Sequence, residues 1–186
     1  MMSAIEKIHD LPLWTGPVDP QPVSGGITNA NYIVDSGGRR YFVRVGDDIP
    51  VHGVMRFNEL AASRAAAATG ISPAVVHQAP GILVLEYIEG TTYAEADVRL
   101  DDNLKRILPL VKTCHHEVPN YFRGPALMFW VFQVVRDYAA TLRDGDSRMT
   151  GHLPKLLAEA DRLEAAVGPV EIVFGPNDLL PDNFID

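Results

Sequence analysis

The hydrophobic period of this 186-residue chain changes once, near Gly90, and that change limits what can be built on either side of it. Before Gly90, apolar residues alternate or run in short blocks bounded by glycine and proline, the pattern of strands. Residues 31–35 (NYIVD) and 40–45 (RYFVRV) flank Ser36, Gly37 and Gly38. Glycine supplies positive φ there at little steric cost, so a β-hairpin is predicted. Residues 55–69 are rich in alanine and carry Glu59, Leu60 and Arg64, with Gly70 where a helix would end. One helix is therefore expected inside this half. Residues 73–77 and 82–86 read as two further strands around a turn at 78–81. After Gly90, Leu104, Ile107, Leu108 and Val111 recur at helical spacing, as do the apolar residues of about 125–143 and 153–167. The fold class is α+β, with a β-rich lobe over residues 1–90 and a mainly helical lobe over 91–186.

Charge narrows the partners. Sixteen Lys and Arg stand against 24 Asp and Glu, a formal charge of −8, which repels nucleic-acid phosphates and suits cationic small molecules. No apolar run approaches the roughly 18 residues of a membrane helix, so no membrane insertion is expected. The first ten residues carry acids and a His where a secretory signal would be basic and then apolar. The single cysteine, Cys114, has no internal partner for a disulfide, which fits a reducing cytoplasm.

Most of the chemical information lies in residues 175–184 (GPNDLLPDNF), which follow an apolar block at 171–174 that reads as a short strand. Asp178 and Asn183 form D-x-x-x-x-N. A loop carboxylate can accept a hydrogen bond from a substrate hydroxyl, and an amide oxygen five residues on can reach a divalent cation held by phosphates. Alone, the pattern better suits a plain loop, where Asp and Asn are favoured for turn-forming reasons.

Its context is more specific. A Gly-rich segment at 24–29 (SGGITN), a basic residue at Arg44, a helical Glu59 and a strand end at Glu86, Tyr87 and Ile88 precede the loop in that order. Together they resemble the kinase-like phosphotransferases of small molecules, which include choline and ethanolamine kinases and aminoglycoside phosphotransferases. Residues 177–181 (NDLLP), with Asn183 and Phe184, are particularly similar to the catalytic loop of bacterial choline/ethanolamine kinase-like proteins. The resemblance runs from about Val23 to Asp186 and implies a protein-kinase-like, two-lobed fold that uses ATP and Mg²⁺. It places Gly26, Thr28 and Asn29 in the phosphate loop, Arg44 on the α and β phosphates, and Glu59 as the ion-pair partner of Arg44. The backbone of Glu86 and Ile88 would read adenine, Asp178 would act as base or orient the hydroxyl, and Asn183 would bind Mg²⁺. Asp182 reads as a solvated loop acid. The implied reaction is ATP-dependent phosphoryl transfer to the hydroxyl of a small amino alcohol, choline or ethanolamine. The alternatives are a thiamine or aminoglycoside kinase, or a nucleotide-binding module impaired in turnover.

Two departures from the family pattern stand out. Pro176 occupies the position of a His that braces the loop, and Pro has no N–H and a fixed φ. The Asp that holds the principal Mg²⁺ in the family comes after a further strand, whereas this sequence runs to Asp186, too close to Asn183 to serve. The helical lobe is thus expected to be incomplete and its turnover weak, with apolar surface there available for self-association. Elsewhere, His115 and His116 read as surface or helix-capping residues, because no second cluster supplies the three or four ligands of a zinc site. Phe129, Trp130 and Phe132 read as helix core.

Overall fold

Residues 2–24 and 28–186 are described by the computed structural model. Ser3 caps a short helix, α1 (Ala4–His9), through a capping box: its hydroxyl accepts from the Glu6 amide, and the Glu6 carboxylate accepts from the Ser3 amide. Three strands follow, β1 (Gln21–Val23), β2 (Ala30–Ser36) and β3 (Arg39–Val45). The predicted hairpin is present as β2 and β3, with Gly37 and Gly38 at φ of 59° and 75°. Then come α2 (Arg56–Ala68), β4 (Val75–Ala79) and β5 (Ile82–Glu86). The strands form one antiparallel sheet in the order β1-β2-β3-β5-β4. β4 lies two residues beyond its predicted span. A register shift between Val75 and His77 leaves Val76 exposed, so the alternation read from sequence slips by a residue there.

Strand alternation makes this sheet two-sided. Val34, Val43, Val45, Ile82 and Val84 are buried with Ile8 and Leu11 in one cluster, so α1 and the chain after it cover that face. The Trp14 indole N–H donates to the Ile8 carbonyl at 2.6 Å, satisfying an acceptor at the helix end. Residues of intervening parity, Arg44 and Leu83 among them, pair across β3 and β5 and point to the opposite face. β5 is buried over four consecutive residues, as expected of a central strand covered on both sides. Neither α1 nor β1 was expected from the sequence.

Beyond the sheet are α3 (Asp101–His116), α4 (Val131–Asp144) and α5 (Leu153–Val167). Two compact units result: Met1–Asp48, Met55–Gly124 and Val173–Asp186 make the first, and Ile49–Val54 with Pro125–Ile172 the second. Two expectations in this region need correction. Residues 171–174 are not a strand: no ladder pairs them among the described residues, and Ile172 is 79% exposed, so an apolar run without a partner edge stays irregular. The helix expected from 125 begins only at Val131, because Trp130 is extended at φ −121°, ψ 111°. Phe129 is consequently exposed, and of the three aromatics expected in the core only Phe132 is buried.

In the second unit α4 and α5 pack through buried Phe132, Ala139, Leu153 and Ala160. The Trp130 indole donates to Glu164 Oε1 at 2.6 Å, and Arg136 pairs with Glu164 and with Asp161. Arg136 chiefly, and then Trp130, hold the Glu164 carboxyl below the ordinary glutamate range. A lowered folded pKa contributes stability that is fully present above the unfolded value of about 4.3 and is lost as pH falls through the folded value. The acid transition of this unit, followed through the Trp130 indole N–H resonance, should therefore move to higher pH in Arg136→Ala. An unmoved midpoint would show that the pair does not govern it.

Candidate active site

Arg44 sits between buried Val43 and Val45, and strand pleating turns its side chain to the face that carries α2. There its Nη1 donates to Glu59 Oε1 at 3.3 Å. The other Glu59 oxygen accepts from Arg56 Nη1 at 2.8 Å, so one carboxylate is held between two guanidinium groups. Arg44 is 39% exposed and Glu59 20%, so water screens their attraction, and the pair fixes geometry more than it adds stability. Arg44 thereby keeps N–H groups directed to solvent and available to an anion.

These side chains line a cleft of about 600 Å³ with Asn29, Gly46, Leu60 and Leu83. Asn29 Oδ1 is buried without a hydrogen-bond partner among the described residues. Thr28 takes part through its carbonyl, which accepts from Arg56 Nη2 at 2.9 Å. Gly26 lies outside the described residues. Arg44, Glu59, Thr28 and Asn29 are therefore brought together.

Glu86 and Ile88 lie at and beyond the far end of β5 and do not line that cleft. Tyr87, between them, is tied down by its amide to the Arg40 carbonyl at 3.4 Å, with the Arg40 guanidinium over its ring at 5.1 Å. The amide of Ile88 donates to no backbone carbonyl among the described residues.

The D-x-x-x-x-N loop is shaped by its own sequence. Asn177 adopts φ 56°, a left-handed conformation that Asn tolerates, and Pro181–Asn183 make one 3₁₀ turn. Asn183 Nδ2 donates to the Asp178 carbonyl at 2.8 Å. That bond spans the motif and turns the amide oxygen of Asn183 away from the Asp178 backbone. The Asp178 carboxylate is exposed and takes no part in it. Asp182 is exposed as well, in keeping with a solvated loop acid.

Sequence reasoning missed how this loop is anchored. Thr92 bridges Ile185, with the Thr91 amide donating to the Asp186 carbonyl at 2.9 Å, the reverse bond at 3.0 Å, and Tyr93 N–H to the Phe184 carbonyl at 3.0 Å. The segment after Ile88 is thus laced to the segment after Asn183, within one compact unit. A Cβ on Gly90 would stand 2.5 Å from Ile185 Cγ2 and 2.7 Å from the Asp186 carbonyl oxygen, so only glycine permits that approach. Thr91, Thr92 and Tyr93 are strand formers, a signal that could have revealed the pairing. The Asp186 carboxylate pairs with Arg106 on α3. Arg106 is itself held by Asn103 Oδ1 at 2.6 Å, which explains why Asn103 is buried.

His116 is exposed and His115 partly buried in the last turn of α3. His115 nonetheless faces the loop, lining a hollow of about 330 Å³ with Val173, Gly175, Pro176, Asn177 and Leu179.

No family model matches the sequence, and no curated protein matches it. Solved structures do. The fold is α+β and protein-kinase-like, the class common to the structures it matches. Within that class the chain is similar to choline/ethanolamine kinases, as its sequence motifs suggested. A choline/ethanolamine kinase family protein from Mesorhizobium loti superposes with a TM-score of 0.64 at 26% identity, over 97% of this chain and 58% of that one. An ethanolamine kinase from Plasmodium vivax gives a TM-score of 0.70 at 17% identity, over 90% and 52% respectively. A choline kinase from Cryptosporidium parvum gives 0.65 at 17%, over 94% and 57%. The last two likenesses bear on fold alone. In each case the present chain spans between half and three-fifths of the length of the protein it matches.

Proposed function

We propose that this chain carries the nucleotide-phosphate contacts and the acceptor loop of an ATP-dependent small-molecule kinase, acting on the hydroxyl of choline or ethanolamine. The observation that carries the reading is the ion pair between Arg44 on β3 and Glu59 on α2 at 3.3 Å, since it ties a strand to the helix that follows it at a guanidinium still partly open to solvent. The names and the 26% identity of the Mesorhizobium loti protein support the substrate class.

In this reading Arg44, steadied by Glu59, binds and orients the nucleotide phosphates, and the amides around Thr28 and Asn29 lie beside them. The Glu86 carbonyl and the Ile88 amide serve the adenine edge. Asp178 accepts the hydroxyl hydrogen of the alcohol through a carboxylate oxygen and aims the attacking oxygen. The Asn183 oxygen, freed by the bond from Nδ2 to the Asp178 carbonyl, is suited to one Mg²⁺ ligand. Among the described residues no three His, Cys, Asp or Glu side chains converge, so Asn183 would bring one protein oxygen and phosphates and water would have to complete the shell of Mg²⁺. Bound Mg²⁺ would neutralise charge on the transferring phosphoryl group.

Thermal-shift titration with ATP and Mg²⁺, run beside an assay of ADP release with choline, ethanolamine, thiamine and an aminoglycoside, tests this. The expected result is ATP-dependent stabilisation, with ADP release stimulated by an amino alcohol above the other acceptors. Absence of any shift at millimolar ATP sinks the nucleotide reading. Stabilisation without acceptor-stimulated turnover would establish the second reading, a nucleotide-binding module, which Pro176 in the loop favours.

A further inference from the structure

Arg56 is committed through every nitrogen of its guanidinium, and the Arg44–Glu59 reading alone leaves it without a role. It begins α2, three residues before Glu59, and is only 18% exposed. Its three donor nitrogens each take a different partner: Nε the Asp47 carbonyl at 3.0 Å, Nη1 the Glu59 carboxylate at 2.8 Å, and Nη2 the Thr28 carbonyl at 2.9 Å. Its own amide donates to Asp48 Oδ1 at 2.6 Å, which fixes the start of the helix. One planar group thus joins the exit of the Gly-rich segment, the chain leaving β3 and the carboxylate that holds Arg44.

Gly46 shows how tightly this junction is built. A Cβ there would lie 2.7 Å from Arg56 Nη2, 2.9 Å from the Thr28 carbonyl oxygen and 3.0 Å from Asn29 Oδ1. The guanidinium, the Thr28 carbonyl and the unpartnered Asn29 oxygen therefore converge on a single glycine. Lysine could hold Glu59 as a point charge, but it cannot present three donors in a plane to three acceptors.

We propose that Arg56 is a positioning residue for the phosphate end of the cleft: it fixes Glu59, and through it Arg44, in register with the chain at Thr28 and Asn29. This rests on the nucleotide reading above. Arg56 need not touch the nucleotide. Its loss should leave recognition of a nucleoside unchanged while weakening the contribution of phosphate, because Glu59 and Thr28 are then free to drift from Arg44.

The test uses the whole chain with Arg56→Lys, and Gly46→Ala as an independent way of parting Arg56 from Thr28. Two quantities are read, the Arg44 Nε–H resonance in the free protein and the ratio of ADP to adenosine affinity. Both variants should shift or broaden the Arg44 resonance, lower the ADP-to-adenosine ratio about tenfold, and leave adenosine affinity unchanged. An unaltered ratio overturns the proposal, whether or not the resonance moves, and so does an equal loss of both ligands, which would mark a merely structural role. If the unaltered chain binds neither ligand, the nucleotide reading fails and the phosphate role of Arg56 fails with it. Normal binding by the unaltered chain with a wild-type ratio in both variants removes the Arg56 proposal alone.

Discussion

Replacing Asp178 with alanine is expected to lower acceptor-stimulated ADP release by about 10² to 10⁴-fold, the range for loss of a positioned general base. ATP-dependent stabilisation should be unchanged. The separation is expected because the loop is held by the backbone of Asp178: Asn183 donates to its carbonyl at 2.8 Å, a bond that survives truncation of the side chain. The carboxylate is exposed and makes no ion pair in the loop, so little folding stability rides on it. Asp182→Ala, four residues on and also exposed, is the control and should retain turnover within about twofold, as surface changes usually do. Steady-state rates for the two variants, each with an ATP thermal shift, decide the matter. Equal rates in Asp178→Ala and the parent would remove Asp178 from the chemistry, and lost ATP binding in that variant would show that it shapes the loop instead.

The residues legible from sequence were those carried by local pattern or by the family resemblance. The meeting of Arg44 and Glu59 was anticipated through the resemblance, and the structure supplies its physical basis: alternation around Val43 and Val45 turns Arg44 away from the cluster they join, and Glu59 lies in the first turn of α2. The motif spacing placed Asp178 and Asn183 on one loop, though it did not reveal the hydrogen bond that joins them. What escaped notice was everything decided by distant backbone. Residues 171–174 have strand composition without a partner edge, whereas Thr92 and Ile185, in segments not assigned to any element, find each other across ninety residues of chain. Arg56 escaped for the same reason: two of its three acceptors are main-chain carbonyls, which carry no sequence signature. Pattern reading assigns faces, but close approaches such as those at Gly46 and Gly90 depend on which backbone arrives opposite.

The other large effect concerns α1, which was also unforeseen. Its six residues are too few for a stable isolated helix, so its order must derive from packing. Ile8 supplies that packing: it is 0% exposed and belongs to the cluster of Leu11, Val34, Val43, Val45, Ile82 and Val84. Ile8→Ala should cost about 2–5 kcal/mol, combining lost transfer energy with the cavity left against the sheet. Ile5, on the same helix and 44% exposed, is the internal comparison, and Ile5→Ala should cost less than about 0.5 kcal/mol. Urea unfolding of both variants measures the difference, and a loss below about 1 kcal/mol for Ile8→Ala would mean that α1 is not part of the cooperative core. The consequence reaches the candidate site, because Val43 and Val45 flank Arg44 on β3. A cavity beneath these valines loosens the strand segment that aims the guanidinium, so Ile8→Ala should weaken ADP binding more than adenosine binding under conditions where the variant remains folded.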